Sequence, residues 1–433
     1  MGGVSNLVSS SCKKIIKPYF PTPTSLRCCK LSYLDQIVGR IYAPMAFFYP
    51  KRSDIIKPSV NISQHLQNSL SKVLTHYYPY AGKLNDNVSV DCNDSGVEFF
   101  TTKINCPMSE IVNNPYADKQ DLVFPKGIAC TPSYEGSLAV IQLSHFDCGG
   151  FAISACVTHK IGDAYTIGNF INDWATITRD PSSKILPGPQ FNGASFFPPS
   201  NDLPNESNFI VPKSKECLSR SFDFSQSKLA SLKSRVINSL PEVKNLTDTE
   251  IVSAFIYQRA MATKNAVVGS IQPSLLIQAA NLRPPVPKST MGNIGSFFSV
   301  QTTEENEIDL PSLVGKLRKA KEEYRQKYKH AKTNELLPIT IGLYRDADEF
   351  LVNNCYDIYR FSSIKKFPLY DVDFGWGKPE RVSLPSNCPV RNFFALVDNK
   401  ARDGMEVIMY MKEQDILALD KDEELLEFAS PST

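Results

Sequence analysis

The 433 residues contain no Cys-x-x-Cys pair, no His/Cys ladder at zinc-ligand spacing and no apolar run near eighteen residues. The first two absences argue against a metal site, and eleven irregularly placed cysteines, with only Cys28 and Cys29 adjacent, offer no disulfide framework. Their odd count suits a reducing compartment, where buried thiols act as small hydrophobes. The missing apolar run excludes a membrane-spanning helix. Charge of one sign is not in excess: 47 basic residues face 45 acidic ones, for a net +2. Nucleic acid is therefore not an expected partner, since phosphate binding needs a concentrated basic surface. Met1 to Leu7 lacks the basic-then-apolar order of a secretory signal, and Ser430 to Thr433 carries no prenylation signal. A cytoplasmic address is expected. Gly-x-Ser-x-Gly, the nucleophile elbow of hydrolases, is missing, and Gly292-Asn-Ile-Gly295 is too short for a dinucleotide fingerprint. There is no internal repeat and no low-complexity segment.

What is present is ordinary globular material, 42% hydrophobic and 21% charged, in a chain long enough for two domains. Seven of the thirty prolines fall between Pro181 and Pro212, among Ser, Asn and Gly. Proline fixes φ and removes a backbone donor, so this stretch reads as an irregular crossover. It divides the chain into an expected lobe over 1–190, a crossover over 191–215 and a second lobe over 216–433. Apolar spacing predicts helices over Ser63–Thr75, Ala164–Trp174 and Leu313–Lys332, and strands over Ser137–Leu143 and Phe151–Val157. Phe222 to Ser225 reads as a strand running into a helix cap, and Thr247 with Glu250 has capping-box spacing. Helix and strand mix in both halves, so the class is α/β or α+β.

The chemistry gathers at His159-Lys-Ile-Gly-Asp163, at the predicted junction of a strand and a helix. An imidazole there can take a proton from an alcohol. Spacing alone favours the plainer reading, a surface histidine near a helix start with Asp163 as a capping residue. Asp373-Phe-Gly-Trp-Gly377 packs two glycines and one of only two tryptophans into five residues, which suits a tight turn. Asn281-Leu-Arg283 is a third unusual stretch. The run from Lys316 to Lys329 invites a phosphate-binding reading. Leu313, Leu317, Ala320, Tyr324 and Tyr328 keep helical spacing, however, and point to a solvated helix face. Cys148 and Cys156 flank the histidine region and read as packing. His145 reads as structural.

In this order the three stretches resemble the BAHD acyltransferase superfamily of plants, whose motifs HxxxD and DFGWG are matched at His159/Asp163 and Asp373–Gly377. Pro21-Thr-Pro23, Leu31 to Gln36, Tyr78 to Gly82, Val90 to Gly96 and Phe146 to Gly150 extend the likeness. It resembles in particular the subgroup of vinorine-synthase-like alkaloid acetyltransferases and nightshade-family acylsugar acyltransferases. The resemblance implies two similar-sized lobes of mixed sheet and helix, chloramphenicol-acetyltransferase-like, with a channel between them. It implies acyl-CoA as co-substrate, no permanently bound cofactor, no metal, and an alcohol acceptor esterified by direct transfer, with His159 as general base. Asp163 would support the loop. Asp373 would lie outside the reaction centre, paired with Arg283, while Gly375, Trp376 and Gly377 shape the segment. Asn293 and the Trp376 indole are the candidate oxyanion or CoA contacts. The chain is expected to act as a monomer. The alternative is a non-catalytic relative that binds a ligand or partner in the same cleft, and the intact His159 and DFGWG segment count against it.

Overall fold

The computed structural model describes residues 7–51, 61–113, 117–127, 136–200, 217–241, 243–270, 272–353, 357–386, 388 and 390–432. Two large mixed sheets organise them. The first, six-stranded, runs in the order Val8–Ile16, Val97–Ile104, Ala139–Phe146, Phe151–Thr158, Tyr42–Tyr49, Arg381–Ser383. The second, seven-stranded, runs Gly295–Thr302, Ser274–Asn281, Asp357–Ser363, Phe393–Asp398, Met405–Lys412, Cys217–Phe224, Ser430–Pro431. The mixed α/β class read from the sequence is the one observed. Most of the proline-rich crossover, residues 201–216, lies outside the described residues. Arg381–Ser383, from the second half of the sequence, pairs with Tyr42–Tyr49 and so closes the first sheet.

Phe151–Thr158 is buried along its whole length because both faces of the first sheet are covered. Phe151, Ile153, Ala155 and Val157 pack on the side of helices Ile62–His76 and Ala164–Arg179, with Trp174, Leu66 and Leu70. Ala152 and Cys156 face the opposite cluster with Phe48, Phe146 and Ile111. Trp174 is fully buried and donates its indole N–H to Ser69 Oγ at 3.0 Å. A side chain of that size hides 150–250 Å², worth roughly 4–6 kcal/mol at ~25 cal/mol/Å².

Local signals place the helix ends. Thr247 and Glu250 form the expected reciprocal capping box before helix Asp248–Val268, which stops at Gly269 in the left-handed region. Ser225 caps Gln226–Ser239. The lysine-rich helix spans Leu310–Lys329 and buries Leu313, Leu317, Tyr324 and Tyr328. Three of its cations fold back onto protein carboxylates: Lys316 onto Glu307, and Arg318 and Lys321 onto Glu250. Among the described residues no helix is long and apolar enough to cross a membrane, and no three His, Cys, Asp or Glu side chains gather as metal ligands.

The Asp373–Gly377 segment is the tight turn its glycines predict. Asp373 Oδ1 accepts from the amides of Gly375 and Gly377 at 2.8 and 2.9 Å, and both glycines have positive φ (107° and 95°). Phe374 and Trp376 enter the first lobe's core against Tyr49, Phe151 and Trp174. The turn thus pins a second-half segment onto the first sheet. Asp373→Ala strands two amides and is expected to cost about 1.5–3 kcal/mol, lowering the melting temperature by several degrees, with kcat of the folded protein retained. A collapse of kcat at unchanged melting temperature would place Asp373 in the chemistry instead.

Candidate active site

His159 follows the last residue of strand Phe151–Thr158 and opens a short 3-10 turn, His159–Ile161. Its amide donates to Ile41 O at 2.7 Å, which ties the turn to the neighbouring chain. Lys160 is buried, its ammonium donating to Gln36 O and Val38 O, both at 2.7 Å. A Cβ at Gly162 would sit 2.8 Å from Tyr80 Oη, so a larger residue there would have to displace that buried ring. The turn is therefore braced from below, and His159 is carried to the wall of a cavity.

Asp163 does not act on the histidine ring. Its Oδ1 caps helix Ala164–Arg179 by accepting from the Thr166 amide at 2.9 Å. Its Oδ2 accepts from Arg283 Nη1 at 2.8 Å and from the Ile294 amide at 3.1 Å. This corrects the pairing expected from the resemblance: Arg283 is bound to Asp163, not to Asp373. Arg283 also donates to Thr290 O and Gly292 O, and its guanidinium lies over the Tyr165 ring at 4.6 Å. Its side chain is fully buried, and the pair straps the loop after Asn281 to the start of the helix behind His159.

That strap delivers Asn293. The Asn293 amide nitrogen Nδ2 faces two acceptors, Asp35 Oδ1 at 2.8 Å and His159 O at 2.7 Å. The acceptors fix the amide's orientation, so Oδ1 is the atom 3.0 Å from His159 Nδ1. Nδ1 must then carry the proton, and Nε2 is left with its lone pair. Asp35 completes the chain. It accepts from the Asn293 backbone amide at 2.7 Å and from the Ser32 amide and hydroxyl at 2.9 and 2.6 Å. Burial pushes its carboxyl up, and those hydrogen bonds oppose the shift. Gly292, at φ 117°, sits against this carboxylate, with its would-be Cβ 3.4 Å from Asp35 Oδ1.

Two expectations for oxyanion donors are corrected here. Both protons of the Asn293 amide are committed to Asp35 and His159, so Asn293 orients the ring. Trp376 lies among core aromatics and does not line the cavity. Asp373 is likewise outside it. Asp35 and Lys160 escaped the sequence reading. Asp35 sits in the Ser32–Asp35 capping box, a pattern with a sufficient local explanation, and nothing in a linear chain marks its contact with Asn293.

The cavity holds about 430 Å³ and is walled from both lobes, by Tyr42–Met45 and His159 on one side and by Ile277, Phe297, Phe361, Phe393 and Tyr410 on the other. Neither Cys148 nor Cys156 reaches it; the former is exposed and the latter packs in the core. Cys388 does line it, but burial pushes its thiol up to about 12, so it is not a thiolate near neutrality. A base with one free ring nitrogen, in an apolar cavity whose described lining residues include no activated nucleophile, can assist an incoming hydroxyl.

Residues 7–426 match the family described as Transferase. Acylsugar acyltransferase 3 of Solanum lycopersicum is 42% identical over 97% of each chain. The crystal structure of vinorine synthase superposes with a TM-score of 0.82 at 30% identity, over 98% of each chain. That of F. sporotrichioides TRI101 complexed with coenzyme A and T-2 matches at a TM-score of 0.72 and 17% identity, over 94% of this chain and 100% of the other. At that identity the likeness speaks for the fold.

Proposed function

Since the chain belongs to the Transferase (BAHD) family and is an acyl-CoA-dependent O-acyltransferase, we propose that His159 is its general base and that transfer is direct, within a ternary complex. The observation that carries this reading is the Asp35–Asn293–His159 chain, which commits Nδ1 and leaves Nε2 to the cavity. As the acceptor oxygen attacks the thioester carbonyl carbon, its proton passes to Nε2. The tetrahedral intermediate collapses with cleavage of the C–S bond, and the proton on Nε2 goes to the departing sulfur. The products are an ester and free CoA. General-base assistance of this kind supplies about 10²–10⁴-fold, with orientation of the two substrates contributing the larger remainder.

The acceptor is a hydroxyl of a plant specialised metabolite, either a partly acylated sugar or an alkaloid alcohol. The names of acylsugar acyltransferase 3 and vinorine synthase support those two classes, and the apolar walls suit aliphatic acyl chains or an alkaloid skeleton alike. The protein works as a monomer in the cytoplasm. Its described cysteines are free thiols, which suits a reducing compartment.

Incubation with acetyl-CoA and a panel of sugar esters and alkaloid alcohols tests the reading. Free thiol should appear in step with a product mass gain of one acetyl group, and only when an acceptor is present. With acetyl-CoA alone, intact-protein mass spectrometry should show unmodified protein. A stoichiometric acyl adduct discharged by alcohol at a competent rate would overturn direct transfer, with Cys388 the first residue to examine.

A further inference from the structure

Beside the His159 cavity lies a smaller one of about 160 Å³, which the mechanism above does not use. Ile364, Phe367 and Leu384 line both, so these three side chains form the wall between them. The two cavities also share a floor. On the second sheet Phe393 pairs with Tyr410, and Ala395 with Ile408. Phe393, Ala395 and Tyr410 line the His159 cavity, while Ile408 and Val397 line the smaller one. Leu369 and Val382 add apolar surface there, alongside the Tyr370 and Ser383 hydroxyls. The charged groups of this cavity meet protein partners: Arg402 binds both oxygens of Asp371, and Asp398 accepts from the Lys366 amide. What is left for a guest is mainly hydrocarbon. An apolar cavity of ~150 Å³ takes up benzene, so about six carbons fit here. Phe367, in the wall, is half-buried, and its ring meets Tyr165 of the His159 cavity edge to face at 6.1 Å.

We propose that the smaller cavity receives the end of an aliphatic acyl chain of about six carbons carried on CoA, which passes the wall at Phe367. This rests on the acyl-transfer reading above and names the acyl group that the site favours. The thioester carbon has to lie beside His159, and the acceptor must share the larger cavity with it. A chain longer than acetyl therefore needs a space of its own, and the adjoining cavity supplies one of matching size and polarity. Each methylene buried there strengthens binding by up to about fourfold. The residues of the smaller cavity set specificity and touch none of the reacting atoms.

Calorimetric titration with acetyl-, butyryl-, hexanoyl- and octanoyl-CoA tests this without an acceptor and without turnover. Hexanoyl-CoA should bind wild-type protein about tenfold or more tightly than acetyl-CoA, and octanoyl-CoA should gain nothing further once the cavity is full. Val397→Phe fills the smaller cavity from its floor and should reduce the hexanoyl-to-acetyl ratio to about threefold or less. Val397→Leu should reduce it part of the way, and carries the same test should the phenylalanine variant not fold. Equal affinity across the series in wild-type protein overturns the proposal. So does a gain that continues undiminished to octanoyl-CoA, since the chain would then run into open space. A hexanoyl preference that survives in a folded filling variant also overturns it, by placing the chain in the larger cavity. Failure of the acyl-transfer reading would instead appear as no thiol release with any alcohol, an outcome on which these titrations do not depend.

Discussion

His159→Ala is expected to lower kcat by about 10²–10⁴-fold, with an unchanged melting temperature and little change in KM for acyl-CoA. The side chain makes one hydrogen bond, to Asn293, and its backbone contacts to Ile41 and Asn293 survive the substitution. Loss of the ring therefore removes the proton acceptor without disturbing the fold. Near-wild-type kcat in a folded His159→Ala protein would sink the mechanism. Asn293→Leu provides the control for ring placement. It leaves Nε2 in the cavity but frees the ring to turn, and should cost about ten- to a hundredfold in kcat. If Asn293→Leu cost as much as His159→Ala, the amide would have to act on the reacting atoms themselves.

Arg283→Ala should be the most destabilising single change at the site. It leaves the Asp163 carboxylate, 20% exposed, without its cation and removes donors from Thr290 O and Gly292 O. Breaking a buried pair by deleting one partner costs about 3–5 kcal/mol. Activity should fall with it, because the same strap delivers Asn293 to His159. Asp163→Ala should resemble it, and the double variant should be much less destabilised than the sum of the two, since the second deletion removes a charge already stranded. Arg283→Lys should rescue poorly, as one ammonium cannot span Asp163 Oδ2, Thr290 O and Gly292 O. Additive losses in thermal denaturation would refute the coupling. An Arg283→Ala loss that instead tracked Asp373→Ala would restore the pairing expected from the resemblance.

The amino-acid sequence by itself determined whatever depends on neighbours along the chain. The Thr247–Glu250 box, the Ser225 cap, the amphipathic helix over Leu310–Lys329 and the alternation of Phe151–Val157 all follow from residues within about one or two turns of each other. His159 was legible for a similar reason: an imidazole at a strand end before an aspartate cap is a local arrangement, and the ordered motifs raised it above a surface histidine. Only the tertiary structure decided the partnerships. Arg283 meets Asp163 across 120 positions, Asn293 meets His159 across 134 and Asp35 across 258. Which carboxylate takes the arginine, which way an amide turns, and whether an indole or a thiol faces a cavity or a core are settled by packing and by the need of each buried polar group for an acceptor or donor. Those demands act across sheets and loops far apart in the chain, and neither periodicity nor spacing carries them. Trp376 in the core and Cys388 on the wall are decided on that level.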